Sequence, residues 1–177
     1  AQWPSHYLSQ SWPCDAAAIS LPFQHVIDGE APLDQATLVY ELWLHHYILG
    51  LEFSASPYAF HTLGSSCGFN ARCYAAARGM PLRAGAEDFY LLNKLAKMGQ
   101  VLRPAGPPVL IQARASDRVP FGTGPAVTRL MASGEPQSTP FFYHQNNFTA
   151  LKRILECFPR WLSSQEPDIY QSLSQHL

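Results

Sequence analysis

The stretch AEDFYLLNKLAKMG, residues 86–99, decides the architecture. Leu91, Leu95 and Met98 recur at helical spacing, Phe89 and Leu92 lie beside them, and Gly99 is the residue type that ends helices in the left-handed conformation. The spacing predicts a helix buried along one face. Its first turn carries Glu87 and Asp88. Carboxylates there are stabilised by about 0.3–1 kcal/mol each, because the first backbone N–H groups are unpaired and the helix dipole is positive at that end. Adjacent helical residues point about 100° apart, so only one of the two acids can face a given groove. Such an acid is either an ordinary helix-start residue or a general base that takes the proton of an attacking hydroxyl.

Upstream, HTLGSSCGF (61–69) reads as an extended strand, followed by Asn70 as the cap of a helix NARCYAAAR that Gly79 ends. Gly64, Ser65 and Ser66 put small residues in the middle of that stretch, the part that lines the cleft in the resemblance given below. Before them, Leu38, Val39, Leu42, Trp43, His46 and Tyr47 are spaced by threes and fours, which predicts a helix over 34–49, with Asp34 near its start and Gly50 as its stop. Residues 1–32 hold Pro4, Pro13, Pro22 and Pro32 and read as an irregular lead-in with one short strand, AAAISLPF. Downstream, VLRP and PVLIQA read as strands, TALKRILECF as an amphipathic helix and DIYQSLSQHL as a further one. The alternation predicts an α/β fold, a mixed sheet flanked by helices, with α+β as the alternative. Its 177 residues fit a single domain, divided into the lead-in, a central segment 33–127 and a helical tail 128–177.

Composition excludes several classes of function. The net charge of −1 supplies no basic field for nucleic acid, and the most apolar stretch, LVYELWLHHYILGL, is broken by Glu41, His45 and His46, so no membrane span is expected. The four cysteines form no C-x-x-C pair and the first residues do not resemble a secretory leader, which points to a reduced, cytoplasmic setting. The histidines match no zinc spacing and read as structural. Neither a G-x-S-x-G elbow nor a phosphate-binding G-x-x-x-x-G-K-[ST] loop occurs. The stretch RASDRVPFGTGP (114–125) sets Arg114 and Arg118 before Gly122, Thr123 and Gly124. Arginines followed by glycine backbone suit a loop that grasps a phosphate or diphosphate, though the same composition also describes a plain surface loop.

Taken together, YELWLHHYILGL, SPYAFHTLGSSCGFNARCYAAARGM, EDFYLLNKLAKMG and SDRVPFGTG resemble the carboxyl-terminal half of the family 2 glycosyltransferases with the GT-A fold, over roughly residues 36–127. The resemblance implies an inverting enzyme that moves a sugar from a nucleotide-diphosphate donor to a hydroxyl acceptor. By it, Asp88 is the catalytic base, Glu87 helps to shape the acceptor pocket, HTLGSSCGF lines the cleft, and Arg114 and Arg118 lie on a loop that meets the donor diphosphate. It also implies a divalent metal, Mg or Mn, held by an Asp-x-Asp that closes the preceding nucleotide-binding half. No Asp-x-Asp occurs in this chain, so the expectation is a partial GT-A-like domain whose metal ligands lie elsewhere and which is inactive by itself. Loss of half of such a domain would expose apolar surface and a sheet edge, so self-association is expected. The alternative reading is a non-catalytic interaction or carbohydrate-binding module.

Overall fold

Ala16, Ala17 and Ala18 are almost wholly buried, and the strand they begin, β1 (Ala16–Ser20), is the centre of the fold. The computed structural model describes residues 3–27, 29, 31–113, 122–132 and 142–164. β1 pairs antiparallel with β3 (Cys67–Phe69) and parallel with β4 (Gln100–Leu102), giving a mixed three-stranded sheet. A second sheet joins β2 (Phe23–Val26) and β5 (Val109–Gln112) in parallel, with Phe23 opposite Val109. AAAISLPF, expected as one strand, is therefore divided between two sheets. Pro22 explains the break, because it has no N–H to give to a ladder. Its carbonyl instead accepts the Val109 N–H at 2.8 Å, while the preceding Leu21 N–H goes to Ser66 at 2.7 Å. The chain is thus mixed α/β, as the alternation of elements indicates, with a mixed sheet and helices against it.

The lead-in is more ordered than its prolines suggest. Helix α1 (Trp3–Leu8) carries Tyr7, which is buried and whose hydroxyl donates to the Pro107 carbonyl at 3.0 Å. Helix α2 (Ala31–Phe53) exceeds the expected 34–49 at both ends. Asp34 lies within its first turn and accepts the Gly29 N–H at 2.8 Å. The helix stops where Ala55 takes a left-handed φ of 55° and the Ser56 N–H closes back on the Leu51 carbonyl. Helix α3 (Ala71–Ala76) is capped as its sequence predicts: the Asn70 side chain accepts the N–H groups of Arg72 and Cys73. Asn70→Ala should cost about 1 kcal/mol in a urea titration, and an unchanged midpoint would show that the cap contributes nothing.

Helix α4 (Glu87–Leu95) packs on β1 and β4 through Leu91, Leu92 and Leu95, none of which retains measurable exposure. Each such leucine contributes about 1.5–3 kcal/mol of apolar burial. Met98, expected on the same face, is exposed, because the helix ends at Leu95 and a turn carries the chain away. Helix α5 (Thr123–Ala132) buries Ala126, Val127 and Leu130. Helix α6 (Gln145–Ser164) extends the expected TALKRILECF in both directions.

The chain divides into two compact units, Ala1–Leu42 with Phe60–Thr139, and Trp43–Ala59 with Pro140–Leu177. The first holds both sheets, α1, α3, α4, α5 and the beginning of α2. Within it, one carboxylate oxygen of Glu41 on α2 lies 2.6 Å from His25 Nδ1 and accepts the His25 backbone N–H at 2.8 Å, so β2 is tied to α2. In the second, the end of α2 packs on α6. The ring of Phe148 presses on Gly50, and the Ser54 hydroxyl lies within hydrogen-bond distance of the Gly50 and Phe148 carbonyls. Gly50, expected to end α2, is an interior position that makes room for that ring. Among the described residues no helix is long and apolar enough to cross a membrane.

Candidate functional site

Ala86 takes a left-handed φ of 56° and turns the chain sharply into α4, so that Glu87 and Asp88 open the helix half-exposed. The two oxygens of Asp88 are held separately: Oδ2 accepts the Gly64 N–H at 2.9 Å, and Oδ1 accepts the Phe89 N–H at 2.7 Å. A Cβ at Gly64 would sit 3.3 Å from Asp88 Oδ2, tighter than ordinary packing. The glycine therefore allows the carboxylate to lie against the backbone. Two hydrogen bonds to a charged acceptor fix its direction while leaving lone pairs on each oxygen for a further donor. Glu87 is half-exposed beside it.

Residues 64–69 are not a continuous strand. Gly64–Ser66 form a 3-10 turn, and only Cys67–Phe69 is extended. Ser66 is fully buried, with its hydroxyl donating to the Leu63 carbonyl at 3.1 Å, so it stabilises the turn and cannot line an open cleft. Gly64 and Ser65 are exposed. The small-residue run thus supplies a bend that aims one N–H at Asp88.

Three more side chains belong to this neighbourhood. Burial, and secondarily the charge of Asp88, push the Cys67 thiol up to about 12, while its contact with the Leu63 carbonyl opposes the rise. Burial also raises the Tyr40 phenol; its hydrogen bond with the Thr123 side chain acts downward, and the charge of Asp88 acts upward. The first unit therefore gathers Tyr40 from α2, Gly64 from the turn, Cys67 from β3, Asp88 from α4 and Thr123 from α5. Chemically this is one carboxylate beside a thiol and a phenol that stay neutral at ordinary pH. The carboxylate can accept a proton, but Cys67 is a poor nucleophile, since the thiolate is the reactive form.

Of the expected diphosphate-binding residues, Thr123 and Gly124 form the first turn of α5 and are not part of a flexible loop, and Gly122 precedes them with a φ of 101°. Arg114 and Arg118 lie outside the described residues. Tyr40 carried no sequence signal beyond its place on α2, and Cys67 none beyond its place in HTLGSSCGF. Among the described residues no group of three or more His, Cys, Asp or Glu is placed to hold a metal ion. Compared with known proteins, the chain matches no family model, and neither curated proteins nor solved structures give a match.

The four cysteines are free thiols, and they should separate by environment. With a disulfide reagent at pH 8, exposed Cys14 should react first and Cys67 last; equal rates at the two would contradict the burial of Cys67. Because the folded state raises this thiol above its ordinary 9.0, protonated Cys67 supports the fold below that value. That support should fall away as pH climbs from 9 toward about 12.

Proposed function

We propose that the first unit is the acceptor-side portion of an inverting glycosyltransferase of the family 2 type, a partial GT-A-like domain that moves a sugar from a nucleotide-diphosphate donor to a hydroxyl. The observation that supports this reading is the Asp88 carboxylate, half-exposed at the start of α4 and aimed by the Gly64 N–H. Asp88 takes the proton as the hydroxyl oxygen attacks the anomeric carbon, on the face opposite the departing diphosphate, and the configuration inverts. Glu87 stands beside it on the acceptor side. On this reading Thr123 and Gly124, which open α5, lie on the donor side, and Arg114 and Arg118 precede them in the chain. A Mg or Mn ion would neutralise the diphosphate, worth several kcal/mol in such reactions. On this reading the ligands of that ion are not among these residues, and the chain by itself is inactive or nearly so.

Stereochemistry tests the reading. With nucleotide sugars of α configuration and simple alcohols as acceptors, a polypeptide that includes the donor half should give β-linked products, assigned from anomeric proton couplings. Retained configuration, or hydrolysis without transfer, would rule out a single displacement assisted by Asp88.

A further inference from the structure

We propose that the outer face of α2 is the contact between two copies of this chain, with the two helices antiparallel about a twofold axis that passes between His45 and His46. The inference goes beyond the proposed function and does not rest on the reading of Asp88. Leu38, Leu42, Leu49 and Phe53 keep 51, 60, 62 and 54% of their surface open to solvent. All four lie on the one continuous helix Ala31–Phe53. At about 100° per residue they fall within an arc of about 60°, so they form a single stripe along it. The polar residues that share the stripe are Gln35, His45 and Glu52. The other faces of the helix are filled by Ala36, Tyr40, Ile48 and Leu51, all buried. A helix that is apolar on every side is one that is covered all round.

The spacing of the stripe, four, seven and four residues, reads the same in both directions. A twofold interface uses one patch twice, so that residue i meets j and j meets i. With the axis between His45 and His46, Leu42 of each copy comes level with Leu49 of the other, and Leu38 with Phe53. Each apolar residue of the stripe then finds an apolar one. Glu52 comes level with Val39, so no two carboxylates are opposed, an arrangement that would work against pairing. Lys152 Nζ lies 4.7 Å from the centre of the Phe53 ring, which keeps its exposure beside it. The helix itself has no Lys or Arg, whereas Asp34, Glu41 and Glu52 are acidic, the wrong charge for an anionic lipid surface. Each residue of the stripe offers roughly 100 Å², about half of a large apolar side chain. Two copies would bury roughly 800 Å² from the stripe and, with flanking residues, reach the ~1,200 Å² where specific interfaces begin. The pair should therefore form and separate with concentration.

The mass of the full chain, in a Cys14→Ser background, is measured by sedimentation equilibrium from micromolar to near-millimolar concentration. It should rise from one chain toward two, and Leu42→Glu with Leu49→Glu should weaken association at least tenfold. Both positions are more than half exposed, so the helix should survive, as circular dichroism will show. Cysteine pairing reads the orientation separately and does not depend on the glutamate variant. Under mild oxidation, Leu42→Cys chains mixed with Leu49→Cys chains should link faster than either variant alone. The two positions face each other across the axis, whereas each stands about 10 Å along the helix from its own copy. The mass of a single chain at every concentration, association unchanged by the double variant, or mixed pairing no faster than self-pairing would overturn the proposal. Retention on neutral lipid vesicles that is lost in the double variant would assign the stripe to a membrane surface, which also overturns it. No arm involves turnover or Asp88, so a failure here leaves the reading of the base where it stands.

Discussion

Gly50→Val should unfold the second unit's helix pair at lower urea, with a net loss of about 1–2 kcal/mol. A Cβ at this position would lie 2.3 Å from atoms of the Phe148 ring, a separation that real Cβ contacts do not show. Two effects compete. Removing a glycine from a helix interior gains somewhat under 1 kcal/mol of propensity, but forcing extra carbon into a filled contact costs about 1–3 kcal/mol, so the clash decides the sign. The ring cannot simply withdraw, because Phe148 is buried and its carbonyl lies 2.9 Å from the Ser54 hydroxyl on the same stretch of α2. Phe148→Leu alone should also destabilise, by opening a gap. The two substitutions together should cost less than their sum, since one makes the room that the other needs. A change below about 0.5 kcal/mol for Gly50→Val, the range of an ordinary surface substitution, would show that this contact does not exist in solution.

Gly50 also shows where sequence reading stops. A glycine after a run of helical spacing is a good stop signal, and nothing local separates that use from a close approach by a ring far along the chain. Asn70 is the opposite case: its partners are the next few N–H groups, so the cap was readable from the residues alone. The division of AAAISLPF into β1 and β2 depends on which strands pair on either side of Pro22, information carried by residues 67–69 and 109–112. Helix α5 was hidden by Gly122, Gly124 and Pro125, which read as loop. A proline is tolerated in the first turn because its missing N–H has no partner there anyway, and the buried Ala126, Val127 and Leu130 do the rest.

The candidate site was legible in part. Glu87 and Asp88 were marked by their place at a helix start, and Gly64 by its small size, but their meeting depends on a bend 24 residues upstream of the carboxylate. The expected strand through Gly64–Ser66 gave way to a 3-10 turn because Ser66 bonds back to Leu63 through both its N–H and its hydroxyl. Tyr40 joined the neighbourhood only through the packing of α2, and Cys67 through the register of β3 on β1.

On the proposed function, Asp88→Asn should have the largest functional effect. The amide keeps the size of the side chain and an oxygen that can accept the Gly64 N–H, but its NH2 then faces the Phe89 N–H, so the urea midpoint of the variant is measured beside its rate. What it lacks is a group able to take a proton as the hydroxyl attacks. General-base assistance is worth roughly a hundred- to ten-thousand-fold in rate, which corresponds to about 3–5 kcal/mol of barrier. The loss should appear in kcat, with acceptor KM little changed, because the interaction removed matters most in the transition state. The decisive measurement of the proposed function is the single-turnover rate of sugar transfer by a polypeptide in which a nucleotide-binding half is joined to this chain, compared between wild type and Asp88→Asn. A fall of at least a hundredfold is the result expected of a base at this position, and an unchanged rate would contradict it.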